Sequence, residues 1–202
     1  MTEPVVLRTA RLELSAPVAD DVDAITAACQ DPAIQRWTTV PSPYTREDAE
    51  NFVNSYVTAG WAAGTARTWA VRRRRVDVDV HVDGLELVGM VGLEGIHEGA
   101  GEIGYWLAPA ARGDGLMPEA VAAVIDYGFS LDGPALARIV WRALAGNVPS
   151  ASVARRAGLR FEGTRRLGAV DRTRRADEWT AAILETDDRS PADGWPAETL
   201  GS

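Results

Sequence analysis

Two glycines set two positions apart mark a turn that could hold an anion. Gly113 and Gly115 stand in the run Arg-Gly-Asp-Gly-Leu-Met, which follows a strand pattern and opens a helical one. N–H groups at a helix N-terminus point outward, and the aligned peptide dipoles attract negative charge to that end. Without side chains at the two glycines, the backbone can approach phosphate oxygens closely. The pattern predicts a phosphate cradle built by Arg112, Gly113, Asp114, Gly115, Leu116 and Met117.

An asparagine and a serine three residues apart open a second helix further along the chain. Asn147 and Ser150 stand in the run Asn-Val-Pro-Ser-Ala-Ser-Val. A serine hydroxyl can donate a hydrogen bond or a proton to a leaving group. The same hydroxyl can instead cap the helix N-terminus. The sequence leaves both roles open for Ser150, and the two are compatible.

Two glutamates on neighbouring strand patterns are candidate bases. Glu102 begins a strand whose alternation puts it on the same face as Gly104 and Trp106, where it could take a proton from a nucleophile. Glu94, on the preceding strand, is the second candidate. For both residues the alternative is an ordinary solvated carboxylate on a strand.

The composition excludes several other kinds of chemistry. A net charge of −8 does not suit a protein that follows nucleic-acid phosphates, although it would attract a cationic amine. Cys29 is the single cysteine, and His81 and His97 stand apart, so we expect neither a disulfide nor a metal site. No apolar run approaches the roughly 20 residues of a membrane span, and the N-terminus lacks the pattern of a secretion signal. We therefore expect a cytoplasmic protein.

Hydrophobic periodicity predicts one domain, residues 1–186, in which strands and helices alternate. A helix is expected to end at Pro32, a second to open with a capping box at Thr45 and to break between Gly60 and Gly64, and two more to cover 116–129 and 149–157. The segment 187–202 is expected to be a loose tail unless Trp195 pins it to the domain. Strands are predicted at 7–14, 67–74, 85–96, 102–108, 138–144, 160–167 and 178–185, with a turn at 83–84 and a hairpin extension through 76–82.

The motif blocks at 101–120 and 147–163 together resemble the acyl-coenzyme A site of the GNAT superfamily of N-acetyltransferases. Three further marks, Leu-Arg-Thr-Ala-Arg-Leu-Glu-Leu ending at 14, Glu-Ile-Gly-Tyr-Trp-Leu ending at 107 and Phe-Glu-Gly ending at 163, are similar to the RimJ/RimL-like branch. The resemblance implies an α+β fold with a mostly antiparallel twisted sheet flanked by helices. It also implies a splayed strand pair at the acyl-CoA site, acetyl-CoA as co-substrate, and direct attack by a primary amine in a ternary complex.

The resemblance also implies roles for individual residues. The N–H of Leu107, beside Ala108, would polarise the thioester carbonyl where the strand splays from its neighbour. Asn147 would hydrogen-bond the pantetheine arm of the coenzyme, and Ser150 would face its sulfur. Trp37 would lie in the segment that walls the acceptor site.

The chain departs from the family pattern at three positions. Ala110 stands where the family has Gln or Arg, and we expect Arg112 to supply the missing positive charge. Leu159 replaces a Phe, and Ala169 stands where some ribosomal-protein acetyltransferases have an acidic residue. The departures at Ala110 and Ala169 leave open a catalytically degenerate acyl-CoA-binding sensor or interaction module. An enzyme that uses a longer acyl donor also stays open, because the sequence does not reveal the size of the acyl pocket.

Members of the branch acetylate protein N-termini or small-molecule amines, and the resemblance does not choose between these acceptors. An α-amine with a pKa of about 8 is neutral in tens of per cent near pH 7.5, against about 0.1% for a lysine. A site without a strong base therefore slightly favours α-amines or amino sugars. The chain is compatible with a homodimer and does not specify its oligomeric state.

Overall fold

One sheet of eight strands organises the residues that the structure, a computed structural model, describes, which are 3–76 and 83–200. The strands are β1 (Leu7–Arg8), β2 (Leu12–Ser15), β3 (Arg67–Val76), β4 (Asp83–His97), β5 (Ala100–Leu107), β6 (Arg138–Leu144), β7 (Arg160–Asp171) and β8 (Arg174–Leu184). Their order across the sheet is β1-β2-β3-β4-β5-β6-β8-β7. The α-helices are α1 (Val22–Ala28), α2 (Pro32–Trp37), α3 (Arg46–Asn51), α4 (Thr58–Ala63), α5 (Leu116–Phe129), α6 (Val148–Arg156) and α7 (Ala197–Leu200).

Strands β5 and β6 form the one parallel pair among the described strands, and they part early. Their pairing joins residues 100–102 to residues 138–140 and stops there. Beyond that point, residues 103–107 of β5 pair with β4 on one side, and their other side faces an opening. The mixed α+β fold and the splayed pair that the sequence led us to expect are both confirmed.

Helices cover both faces of the sheet and bury its apolar rows. On one face α5 packs against β3, where the rings of Trp69 and Tyr127 meet edge to face at 5.4 Å between centroids. On the other face α1 and α3 bury Cys29 with Ile25 and Met90. Burial raises the pKa of the Cys29 thiol to about 11, so the side chain is a protonated core residue. Within the described ranges, no helix has the length and apolarity of a membrane span.

Proline 32 begins a helix that the sequence analysis did not anticipate. Asp31 caps α2 by accepting a hydrogen bond from the N–H of Ile34 at 3.0 Å. Proline suits the first helical position because that residue has no intrahelical acceptor for an N–H. The preceding helix α1 ends at Ala28, before Pro32 is reached, and Pro32 instead opens the short helix α2.

The helical segment that opens at Thr45 ends at Gly64, at the far end of the predicted break. The capping box is confirmed, since Thr45 Oγ1 accepts from the N–H of Asp48 at 3.2 Å and the Asp48 carboxylate accepts in return from the N–H of Thr45 at 2.8 Å. A turn of π-helix then joins α3 to α4, and this wider turn rotates Tyr56 out of the apolar stripe, so that it is 45% exposed. Gly60 lies inside α4, and Gly64, at φ +75°, ends it.

Both long hairpins extend beyond their predicted ends. The predicted turn at 83–84 is wrong, because these two residues pair with residues 75–76 inside the hairpin. The predicted extension through 77–82 lies outside the described residues. Strand β7 continues past Leu167 to a tight turn at Arg172, since a register shift after residue 165 interrupts the alternation without ending the pairing.

Trp195 anchors the C-terminal segment to the domain, which the sequence left open as the alternative to a loose tail. The indole N–H of Trp195 donates to the carbonyl of Leu159 at 3.0 Å, and the side chain is 6% exposed. Its ring packs against Trp141 and Phe161, at 5.7 and 5.3 Å between centroids. Trp195 therefore holds its part of the C-terminal segment against the domain, while most of the other described residues of the tail are exposed.

Candidate active site

A cavity of about 570 Å³ opens where β5 and β6 part. One end reaches the glycine turn before α5, and the other reaches two glutamates and helix α2. Of the predicted site residues, Ala108 and Asp114 lie outside its walls. The others that line it are Trp37, Glu94, Glu102, Leu107, Arg112, Gly113, Gly115, Leu116, Met117, Asn147 and Ser150.

The glycine turn has the backbone conformation that an anion site requires. Gly113 and Gly115 adopt φ values of +95° and +71°, a region that favours glycine. Gly115 directly precedes α5, and the first N–H groups of a helix have no acceptor within the helix. A Cβ built on Gly113 would meet no atom within 4 Å, so the turn is open to a ligand. These features fit the pyrophosphate of a coenzyme A.

Arg11, which the sequence analysis did not identify as a site residue, supports this turn from behind. Its guanidinium donates to the carbonyls of Asp114 at 2.9 Å and Gly115 at 3.2 Å, and pairs with Glu119 at 2.6 Å. The C=O and N–H of a trans peptide point in opposite directions, so the N–H groups of Gly115 and Leu116 face away from Arg11. Burial alone would raise the pKa of Glu119, but hydrogen bonds from a threonine and from Arg11 outweigh it and lower that pKa.

The guanidinium of Arg112 is hydrogen-bonded to other parts of the protein instead of pointing freely into the cradle. Its Nε donates to the carbonyl of Leu107 at 3.1 Å, and a terminal nitrogen donates to Asp31 at 2.6 Å. The hydrogen bond from Arg112 is the main cause that lowers the pKa of the Asp31 carboxyl. Arg112, which we expected to bind phosphate, therefore connects the glycine turn to the N-terminus of α2. The Asp31 carboxylate there takes the hydrogen bond that a phosphate would otherwise accept.

The N–H of Leu107 faces the opening between the strands. The next N–H, that of Ala108, donates to the carbonyl of Val88 on the β4 side at 2.8 Å. Successive N–H groups of a strand point to opposite sides, so that of Leu107 points to the side that β6 has left. It is placed to donate to a carbonyl oxygen in the cavity. Ala108 was predicted to bind the cofactor, but its N–H is used within the sheet.

Three neighbours converge on Ser150, the third residue of α6. Asn147 Oδ1 accepts from the N–H of Ser150 at 3.3 Å, so Asn147 and not Ser150 is the helix cap. The indole N–H of Trp141 donates to Ser150 Oγ at 3.0 Å, and the hydroxyl of Tyr105 donates to the Ser150 carbonyl at 2.8 Å. Burial raises the pKa of Tyr105, so its phenol remains a donor at neutral pH.

Glu102 lies where β5 leaves β6, with Glu94 directly opposite on β4. A guanidinium nitrogen of Arg142 is 3.4 Å from its carboxylate. Burial raises the pKa of Glu102, Arg142 works against this rise, and Glu94 adds to it. A carboxylate with a raised pKa is a better proton acceptor near neutral pH than an exposed one. Burial and the neighbouring Glu94 also raise the pKa of the Tyr56 phenol to about 12.

The part of the cavity beside Trp37 is walled by distant parts of the chain. Trp37, the last residue of α2, contributes its ring to the wall. The preceding Arg36 pairs with Asp171 at the β7–β8 turn, with 2.8 Å between nitrogen and oxygen. Arg172 at the same turn donates to two backbone carbonyls of the segment 35–40. The hairpin thus holds α2 and the segment that follows it over the cavity.

The sequence analysis missed four residues that shape the site: Arg11, Tyr105, Trp141 and Arg142. The first three act through hydrogen bonds to backbone or side-chain atoms at least nine residues away in the chain. Arg11 and Tyr105 lie inside the quoted motif blocks, which is the one signal that could have pointed to them. Within the described ranges, no three His, Cys, Asp or Glu side chains group as metal ligands would.

The comparisons with known proteins agree with this geometry. A family model described as an acetyltransferase (GNAT) domain matches residues 11–160. No curated protein sequence matches the chain. Among solved structures, the chain is similar to RimL, a ribosomal L7/L12 alpha-N-protein acetyltransferase in complex with coenzyme A. The two are 21% identical over 89% of this chain and 98% of RimL, with a TM-score of 0.75.

Two further structures have a similar fold. Mycobacterium smegmatis RimJ, in complex with a CoA-disulfide, is 21% identical, with 90% of this chain and 87% of RimJ covered and a TM-score of 0.73. MccE, a microcin C7 self-immunity acetyltransferase in complex with acetyl-CoA and AMP, is 16% identical, with 87% and 93% covered and a TM-score of 0.74. The structural likenesses show the fold, and the family model covers well over half of the sequence. This chain belongs to the acetyltransferase (GNAT) domain family.

Proposed function

We propose that this protein transfers an acetyl group from acetyl-CoA to a primary amine. The observation that carries the proposal is a single cavity with an open glycine turn at one end and a carboxylate of raised pKa at the other. A transfer between two substrates needs both of them held in contact, which one continuous cavity allows. RimL and MccE, whose fold this chain shares, have structures with coenzyme A and with acetyl-CoA.

On the donor side, backbone groups carry most of the binding. The N–H groups from Gly113 to Met117 would hold the pyrophosphate, supported by Arg11 behind them. Asn147 uses its side-chain oxygen to cap α6, which leaves its amide hydrogens free to donate to the pantetheine arm. Acetyl-CoA supplies an acetyl group on a sulfur that can leave.

In the transfer a C–N bond forms to the amine and a C–S bond breaks, and the electron pair of that bond stays with sulfur. The Leu107 N–H stabilises negative charge that develops on the carbonyl oxygen. Glu102 accepts a proton from the amine nitrogen, and the Ser150 hydroxyl donates to the departing sulfur. For a neutral amine, the proton that nitrogen loses is balanced by the one that sulfur gains, so the products are an amide and a thiol.

On the acceptor side, we propose an α-amine, either a protein N-terminus or a small molecule of similar basicity. Such an amine is neutral in tens of per cent near pH 7.5, so it makes a smaller demand on the base than lysine does. The carboxylates of Glu94 and Glu102 would attract the ammonium form, and the ring of Trp37 offers a face for the rest of the acceptor. RimL, whose fold this chain shares, is an alpha-N-protein acetyltransferase, which supports the first choice. With its one cysteine buried, the protein suits a reducing cytoplasm.

A coenzyme-release assay tests the proposal. Acetyl-CoA is mixed with peptides that have a free N-terminus, with the same peptides blocked at the N-terminus, and with polyamines and aminoglycosides. We expect release of the thiol with free N-termini or with low-pKa amines and none with blocked peptides. Binding of acetyl-CoA without release by any acceptor would favour the sensor alternative. Faster release from succinyl-CoA would favour the longer donor.

A further inference from the structure

The hydroxyl hydrogen of Ser150 is the one polar group of this residue with two directions open to it, toward the hydroxyl oxygen of Tyr105 or into the cavity. The Ser150 N–H is bonded to Asn147, its carbonyl accepts from Tyr105, and its Oγ accepts from Trp141. The side chain lines the cavity at the point where β5 and β6 diverge. The direction of this one hydrogen therefore decides what Ser150 can do.

The chemistry of the indole sets that direction. Indole Nε1 is a donor and cannot accept, so the Ser150 oxygen must accept from Trp141 and its own hydrogen must point elsewhere. Without this donor, a serine at this position could turn and give its hydrogen to a backbone carbonyl of the preceding turn. We propose that Trp141 is a positioning residue that keeps the Ser150 hydroxyl oriented as a donor to the coenzyme sulfur. The inference rests on the proposed function, since it assumes that coenzyme A occupies the cavity.

The surroundings of Trp141 allow it to hold one orientation. Its side chain is 1% exposed, and its ring packs against that of Trp195 from the C-terminal segment. Trp195 provides a matched control because it is also buried and also donates through its indole N–H, but to the carbonyl of Leu159. Replacing each tryptophan by Phe removes the same donor and a similar amount of packing. Of the two donors, that of Trp141 is bonded to Ser150.

Titration of the thiol in bound coenzyme A tests the inference without an acceptor. The thiolate is followed by its ultraviolet absorbance, in wild type and in Trp141→Phe, Ser150→Ala, Trp195→Phe and the double variant Trp141→Phe/Ser150→Ala. A hydrogen bond to the charged form favours that form. We expect Trp141→Phe and Ser150→Ala each to lower the thiolate fraction about three- to tenfold at a fixed pH below the midpoint. We expect the double variant to match Ser150→Ala and Trp195→Phe to match wild type.

A thiolate fraction that is unchanged in Trp141→Phe, or changed equally in Trp195→Phe, would overturn the inference. So would a double variant in which the two losses multiply, because the two residues would then act independently. Should Trp141→Phe fail to fold, benzothienylalanine at position 141 keeps the shape and replaces the indole N–H by sulfur, and we expect the same loss. If coenzyme A does not bind to wild type, the proposed function itself fails, which is a different result from an unaltered titration in the bound state.

Turnover gives a second reading of the same variants. We expect Trp141→Phe to lower kcat about three- to tenfold with little change in KM for acetyl-CoA. The loss should shrink for acetyl thioesters whose thiol is more acidic than that of the coenzyme, since such leaving groups need less help from a donor. A loss of the same size for every thioester would indicate a general packing defect and contradict a positioning role.

Discussion

The proposed donor end and the proposed acceptor end of the cavity are built in different ways. At the proposed donor end the candidate binding groups are backbone N–H groups at two helix starts, which left-handed glycines and an asparagine cap shape locally. At the proposed acceptor end they are side chains from α2, β4, β5 and β6, with the β7–β8 turn packed over them. The backbone N–H groups depend on local backbone conformation. The side-chain groups depend on which residues the tertiary fold brings together.

This difference explains why the donor could be inferred further than the acceptor. The Asp114 carboxylate lies 3.7 Å from a guanidinium nitrogen of Arg73, and the Asp114 backbone carbonyl accepts from Arg11. The backbone of the cradle therefore depends little on which side chain stands at position 114. The pKa of Glu102 depends on its burial and on charged residues of other strands, chiefly Arg142 on β6 and Glu94 on β4. A few side-chain changes at that end could alter the acceptor while leaving the donor site intact.

The largest effect is expected from a change in the cradle. Gly113→Glu places a negative side chain where the pyrophosphate is proposed to lie, and it forces a non-glycine residue to φ +95°. We expect the dissociation constant of coenzyme A to rise by at least about 100-fold, measured by calorimetry, and its stabilisation of the fold against heat to disappear. Gly113→Ala has the same backbone strain without the negative charge, so it should lose less affinity for coenzyme A. Unchanged affinity in the glutamate variant would remove the phosphate assignment.

The next effect separates catalysis from binding at the donor end. Ser150→Ala should lower kcat about ten- to a hundredfold and leave the dissociation constant of coenzyme A within about twofold, because the hydroxyl acts mainly as the sulfur departs. Asn147→Ala should cost about 1 kcal/mol of stability because Asn147 is the helix cap, and Ser150→Ala should cost a similar amount, on the order of 1 kcal/mol, because it removes the acceptor of the buried Trp141 indole N–H. Full activity in Ser150→Ala would show that the hydroxyl has no catalytic role.

A pH-dependent effect is expected at the acceptor end. Glu102→Gln should lower the rate about tenfold at pH 7, and the defect should shrink above pH 8, where the acceptor arrives already neutral. The measurement is a pH–rate profile of both proteins with one acceptor. A defect of equal size at every pH would indicate structural damage instead, and a wild-type profile would move the assignment to Glu94.

Arg142→Gln sharpens this test, and the sign of its effect follows from the electrostatics. The guanidinium favours the ionised form of Glu102, so its removal raises the pKa of that carboxyl further. A base must be ionised to act, and activity therefore falls as the pH drops through its pKa. We expect the acid limb of the profile to move to higher pH in Arg142→Gln. If the acid limb of the Arg142→Gln profile stays at the wild-type pH, the pKa of Glu102 does not determine that limb.

The smallest effect is expected where the β7–β8 turn holds the acceptor wall. Asp171→Asn weakens the ion pair with Arg36, so α2 should be held less firmly. We expect KM for the acceptor to rise about two- to fivefold with kcat and coenzyme affinity unchanged. Asp126→Asn, which weakens an exposed pair with Arg189 elsewhere, is the control and should change neither constant. A rise in the dissociation constant of coenzyme A in Asp171→Asn would show that the acceptor wall and the coenzyme site are not independent.

The sequence by itself determined the parts of the molecule that depend on neighbours within one or two turns. The glycine turn before α5 and the capping box at Thr45 were predictable, and so was a helix near 149–157, although its cap is Asn147 and not Ser150. Helix starts and left-handed turns are set by local backbone preferences and by side chains within about four residues. The apolar periodicities of the strands likewise indicated an α+β sheet, because alternation reports which face is buried.

Only the tertiary structure decided which long-range partners meet. Arg11 reaches the carbonyl of Asp114 across 103 positions, and Arg112 turns to Asp31 across 81. Trp195 closes the core from a segment whose composition resembles a loose tail, and Trp141 gives its indole hydrogen to Ser150. Such contacts depend on the order and twist of the strands, and a linear pattern specifies which side chains are buried without specifying which of them touch.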